Sequence, residues 1–139
     1  MRSALVRRGR RGSPDAIRAA TAIAALRTLI GAGLIVAPGP MLSSWGYSKE
    51  ENRSATVRAL LRTAGGRDLV LGLATLAARK DDRSLRRMAA VSATFDTGDT
   101  LLSAALLAAS PGARKPASAW VSVGIPFTAL GWWVARGLK

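Results

Sequence analysis

Six charged side chains lie inside apolar stretches of this chain. They are Arg27 in "LRTLIGAGL", Arg62, Arg67 and Asp68 in "LLRTAGGRDLVLGL", and Asp96 and Asp99 in "ATFDTGDTLL". Arginine and aspartate in apolar surroundings can pair with one another. They can also hold an anion or a polar headgroup on the guanidiniums, or share protons between the two carboxylates at i and i+3. A cation could sit between Asp96 and Asp99, but three nearby arginines disfavour that use. Catalysis has little to draw on. The chain has no histidine and no cysteine, so the usual general base near neutral pH, the thiol nucleophile and the commonest metal ligands are missing. No catalytic residue, metal site or cofactor is assigned. A membrane enzyme that uses the Arg/Asp cluster is an alternative in which aspartate would carry every proton transfer.

The elements that hold these charges must be long and apolar. Four stretches fit, at residues 16–36, 56–78, 85–109 and 117–135, each near the roughly 20 residues that cross a bilayer as a helix. The sequence therefore predicts an all-α fold, a four-helix transmembrane bundle with up-down-up-down order and short links. Pro126 predicts a kink in the fourth span. "SKEENRSA" predicts a helix start with Ser48 as cap and Glu51 as its capping-box partner. Trp45 and Tyr47 suit a membrane–water interface. A signal peptide is the rival reading of the first stretch, and Arg27 in its middle argues against that.

Charge at mid-span has a cost. On insertion scales an Arg or Asp at the bilayer centre costs roughly 2.5–3.5 kcal/mol, and each Leu, Ile, Val or Phe returns about 0.3–0.6. Thr56 to Ala78 contains eight such apolar residues, which offset Arg67 and Asp68 incompletely. The second and third spans need partners. In an antiparallel bundle Arg27, Arg67, Asp68, Asp96 and Asp99 fall at one depth, with Arg62 about a turn away. Three Arg against three Asp sum to zero. Ser92, Asp96, Asp99 and Ser103 form one polar seam, and Gly65, Asp68, Gly72 and Thr75 a second. Arg67 points about 100° from Asp68, so Arg67 and Arg27 are expected to serve Asp96 and Asp99. Gly31, Gly33, Gly65, Gly66, Gly72 and Gly98 would let the backbones approach.

The ends are basic. Of 139 residues, 21 are Lys or Arg and 8 are Asp or Glu, a formal net charge of +13. Residues 1–15 read as a disordered tail, with Arg7, Arg8, Arg10 and Arg11 as candidate contacts to anionic lipid headgroups. Residues 16–139 form the membrane domain. Thirteen basic residues fall in the tail up to Arg18, the Arg79–Arg87 turn and the C-terminus, against five on the other side. The positive-inside rule then places both termini in the cytoplasm of a cell (inner) membrane protein. Expected partners are the bilayer and its anionic headgroups, together with another membrane protein or a second copy of the chain. A soluble helical nucleic-acid binder with an Arg-rich arm is the other alternative, and the long apolar stretches disfavour it.

"GGRDLVLGL" with "DTGDTLL" and the arginine in "LRTLIGAGL" resembles a family of small four-span integral membrane proteins of unassigned function. It is similar, more distantly, to the DoxX-type four-helix membrane proteins. The resemblance covers roughly Ala16 to Ala135. It implies the four-helix topology and a polar core at Arg27, Arg67, Asp68, Asp96 and Asp99, and it brings no reaction. The expected function is a polytopic membrane protein with a buried Arg/Asp core, as a scaffold or assembly partner or as a small transporter or lipid-binding protein.

Overall fold

The computed structural model describes residues 12–138. The fold is all-α. Four long helices, α1 (Pro14–Val36), α4 (Ala55–Ala78), α5 (Asp82–Ala109) and α6 (Arg114–Gly137), are accompanied by two short ones, α2 (Pro38–Ser44) and α3 (Lys49–Arg53), and a 3-10 turn at Pro111–Ala113. There is no strand among the described residues.

Local chemistry sets the helix ends. Pro14 opens α1 and Pro38 opens α2, positions where the missing N–H costs nothing and the fixed φ suits a helix. The segment between α1 and α4, which the sequence presents as a polar connection, folds into α2 and α3. Gly46 turns the chain between them at a φ of +84°, a backbone conformation that favours glycine. The Ser48–Glu51 capping box forms as expected: Glu51 N donates to Ser48 Oγ at 3.1 Å, and Ser48 N donates to Glu51 Oε2 at 2.7 Å. It starts the short α3, however. The long α4 has its own cap, with Val57 N donating to Ser54 Oγ at 3.3 Å. Asp81 caps α5 through a 2.9 Å bond from Ser84 N, and hydrogen bonding from Ser84, side chain and backbone, holds the Asp81 carboxyl below the usual carboxylate range. Helix α6 runs through Pro126 as one element.

The long helices pack as two tight pairs, α1 with α4 and α5 with α6, and the pairs meet mainly along α4·α5 and α1·α6. Neighbours in sequence run antiparallel: Gly31 lies against Gly65 and Leu69, whereas Gly72 lies against Ala24 and Thr28. On the other pair Gly131 lies against Ala93 and Gly124 against Thr100. The start of α1, the α4–α5 turn and the end of α6 consequently share one end of the molecule. Gly12 N donates to Asp82 Oδ2 at 2.6 Å, and Ser13 N to Gly137 O at 3.2 Å. Helix α1 thus starts two residues before the expected span and is tied down at residues 12 and 13. Arg7, Arg8, Arg10 and Arg11 lie outside the described residues.

Two apolar layers close the ends. Ala16, Ala20, Leu85, Ala89, Val134, Ala135 and Leu138 form one, at the end holding the termini. Leu34, Leu42 and Leu61, with Ile30, Trp45, Tyr47 and Trp120 against them, form the other. Trp45 and Tyr47 are part of this second layer. Trp45 meets Trp120 edge-on at 4.8 Å between centroids, and Trp120 Nε1 donates to Tyr47 Oη at 3.1 Å. Between the two layers lies the level of the charged residues.

Candidate functional site: a buried ion-pair layer

Asp68 reaches the interior because α1 and α4 touch backbone to backbone. A Cβ at Gly31 would stand 2.5 Å from Leu69 N, and one at Gly65 would stand 2.7 Å from Leu34 Cβ. This approach brings Arg27 of α1 within reach of α4, and the polar seam of α5 supplies Asp96 and Asp99 at the same height. Both seams face inward: Gly65, Gly72, Thr75 and Ser92 are buried, and Asp68, Asp96, Asp99 and Ser103 are partly buried.

Arg27 is the centre of the layer, with only 4% of its side chain exposed. Its Nη1 donates to Asp68 Oδ1 at 3.1 Å, and its Nη2 donates to both oxygens of Asp96 at 2.5 Å. Arg67 forms a two-pronged pair with Asp99, Nη1 to Oδ1 at 3.1 Å and Nη2 to Oδ2 at 2.5 Å. Planar guanidinium and carboxylate groups match in this way, which gives direction as well as attraction. Arg67 Nη2 also lies 3.5 Å from Asp68 Oδ1. The sequence turns Arg67 away from its neighbour, but the long arginine side chain reaches around, and the guanidinium sits over the Phe95 ring at 5.3 Å. The inner Nε–H of Arg27 and of Arg67 is buried with no acceptor among the described residues.

Arg62 does not join the layer. It is exposed, and its Nε donates to Ile35 O in the last turn of α1 at 3.2 Å. A cation suits that end of a helix, where unpaired carbonyls gather. The expected balance of three Arg to three Asp is therefore corrected to two Arg and three Asp, a formal surplus of one negative charge. Arg62→Ala should accordingly shift stability by no more than about 0.5–1.5 kcal/mol, the net value of one hydrogen bond. A thermal midpoint close to wild type would agree, and a collapse of the fold would place Arg62 back among the structural ions.

A cavity of about 60 Å³ lies on the layer. Arg27, Arg67, Asp68, Asp96 and Asp99 form its charged wall, and Ile30, Trp45, Trp120, Val123, Gly124 and Phe127 form much of the remainder. A cleft of about 320 Å³ shares Arg67, Asp99 and Trp120 with it and runs to Tyr47, Glu51 and Pro116. A wider mouth, lined by Tyr47, Ser48, Glu51, Pro111 and Lys115, continues from there. On the opposite side of Arg27 and Asp96 there is only a space of about 20 Å³, walled by Ala20, Ala89 and Val134 of the terminal apolar layer. The charged layer is thus approached from the end away from the termini and backed by packed side chains on the other. The α6 wall was not singled out from the sequence. Its signal was present: Trp120, Val123, Gly124 and Phe127 follow i, i+3, i+4, i+7, one face of a helix. The charges of α6, Arg114, Lys115 and Arg136, stand at its ends, so nothing in the sequence tied that face to the ions.

Among the described residues no group of three or more His, Cys, Asp or Glu is arranged to hold a metal ion. Fold and site define an all-α protein with four long helices locked around a buried, two-arginine, three-aspartate layer. The chain belongs to the family described as a domain of unknown function (DUF4267), whose model matches residues 24–135. No curated protein and no solved structure is significantly similar to it.

Proposed function

We propose that this is an integral membrane protein that crosses the bilayer four times and carries a small-molecule binding site at the level of its ion-pair layer. One observation carries this reading: large apolar side chains face outward along the long helices while paired charge is buried between them. Arg27 is buried, while Leu29 is 70% exposed, Val36 81%, Leu60 67%, Val70 65% and Leu101 65%. Large apolar side chains facing outward on successive helices are costly in water and natural in lipid, whereas buried paired ions are the form in which charge is tolerated inside a membrane. Two helices, Pro14–Val36 and Arg114–Gly137, are long and apolar enough to cross a membrane, with 18-residue stretches of mean hydropathy 1.8 and 1.2. Helices α4 and α5, at 24 and 28 residues, have the length, and their mean hydropathy is lowered by the residues that build the layer and the basic turn. Insertion of these two is expected to depend on pairing with α1.

The sharing of one end by α1's start, the α4–α5 turn and α6's finish agrees with the basic residues of those segments facing the cytoplasm. The tail arginines Arg7, Arg8, Arg10 and Arg11 would then meet anionic headgroups. The cleft would open on the other face. The more distant likeness to DoxX-type proteins agrees with the four-span topology and adds no activity. A purely structural layer that only sets helix register would need no cleft leading to it, which is why binding is preferred over a scaffold role.

The expected result is that the protein stays in membranes through an alkaline carbonate wash. Reporter fusions at Gly112 should read non-cytoplasmic, and fusions at Arg79 and Lys139 cytoplasmic. Release into the aqueous phase would end the membrane reading, and the opposite reporter pattern would invert the topology.

A further inference from the structure

We propose that the cavity on the ion-pair layer takes a small protonated amine, an organic monovalent cation with a short apolar body, and that Asp68 is its counter-ion. The proposal deepens the membrane reading above and rests on it for the water-poor surroundings.

The hydrogen bonds single out Asp68. Arg27 spends Nη2 on both oxygens of Asp96, and Arg67 grips both oxygens of Asp99, so these are two matched pairs. Asp68 is the carboxylate left over. Both bonds it receives, from Arg27 Nη1 and Arg67 Nη2, fall on Oδ1. Its Oδ2 receives no hydrogen bond from the described residues, and the residue lines the cavity. An uncompensated negative charge in such surroundings is expensive, and one bound monovalent cation brings the layer to zero. An anion would double the imbalance. A divalent metal would want several oxygen ligands, and only one carboxylate oxygen here is unengaged. From the sequence, three arginines disfavour a cation. With Arg62 outside the layer and the other two arginines each matched, that objection lapses.

The rest of the cavity fits an organic cation better than a hydrated one. Trp45, Trp120 and Phe127 line the same cavity as the charges, together with Ile30 and Val123. Aromatic faces attract cations, and apolar walls favour alkyl groups over water. A space of about 60 Å³ suits an ammonium head with one or two carbons, and the adjoining cleft of about 320 Å³ takes the remainder of a longer chain.

The test uses the full chain in detergent or lipid nanodiscs at neutral pH. Ethylammonium and butylammonium chloride are titrated against butanol, sodium butyrate and sodium chloride. Tryptophan fluorescence, to which Trp45 and Trp120 contribute from the cavity wall, and the thermal midpoint are the readouts. The amines should give a saturable fluorescence change and a raised midpoint, and the alcohol, carboxylate and salt should not. Asp68→Asn should weaken amine binding about tenfold or more. Should that variant not fold, Phe127→Leu leaves every charge in place and should weaken butylammonium several-fold through the lost ring face. An absent saturable response to amines, an equal response to butanol, or undiminished binding by Asp68→Asn or by Phe127→Leu would each overturn the proposal. So would a fluorescence change that follows pH alone, because the layer would then be balanced by a proton. A chain that withstands carbonate but ignores amines refutes the amine site and leaves the membrane reading standing.

Discussion

Arg27→Ala is expected to prevent the folded protein from accumulating. Among the described residues, Arg27 alone is hydrogen-bonded to both Asp68 of α4 and Asp96 of α5, through bonds of 3.1 Å and 2.5 Å. Removing it strands Asp96, leaves Asp68 with only the 3.5 Å contact to Arg67, and takes the formal charge of the layer from −1 to −2. Stranding one partner of a buried pair typically costs about 3–5 kcal/mol, a large part of the roughly 5–15 kcal/mol that holds a domain together. Arg67→Ala should cost less, because Arg67 and Asp99 are 28% and 39% exposed at the cleft. Arg27→Lys keeps the charge, but a single ammonium cannot span two carboxylates as a planar fork does, so an intermediate loss is expected. The double change Arg27→Ala with Asp96→Ala returns the layer to −1 and should recover part of the stability. Size-exclusion profiles of a fluorescent fusion and thermal midpoints in detergent measure all four. A wild-type profile for Arg27→Ala would show that solvent already carries these charges.

Gly31→Ala and Gly66→Ala should move stability in opposite directions. The two glycines look alike in the sequence, each in a small-residue stretch beside an ion. At Gly31 an added Cβ would meet Leu69 N at 2.5 Å and Gly65 O at 2.6 Å, both backbone atoms of the facing helix. Backbone cannot turn aside, so α1 and α4 must separate, and separation draws Arg27 away from Asp68. Overpacking of this kind costs typically about 1–3 kcal/mol and occasionally more, and the stretched ion pair adds to it. At Gly66 an added Cβ meets nothing within 4 Å. Alanine there should be neutral or stabilising, by up to about 1 kcal/mol, since it is the better helix former. Thermal midpoints of the two variants decide the matter. Equal midpoints would mean that α1 and α4 do not pack as described.

Much of this protein was legible in its residues. Hydropathy and length located the four long helices to within a few residues, because a stretch without breakers and with apolar side chains on most faces has one regular solution. The Ser48–Glu51 box was readable since it is a contact between residues three apart. The charged layer was readable as a level: antiparallel helices of similar length bring their midpoints together, and aspartates at i, i+3 on a seam with serines must face inward. Who pairs with whom was decided only by the tertiary structure. Arg62 and Arg67 are both long, flexible side chains on the same helix, and only the end of α1, with its unpaired Ile35 carbonyl, draws the first out of the layer. The resulting count of two against three, and hence the surplus at Asp68, follows from that one side chain. Likewise Gly31 and Gly66 share a residue type and differ only in what stands opposite. Trp120 and Phe127 lie on a recognisable face of α6, but their meeting with the ions depends on how the α5–α6 pair seats against α1 and α4. Sequence spacing records distances along one helix; the contacts made across four of them depend on crossings that no single helix encodes.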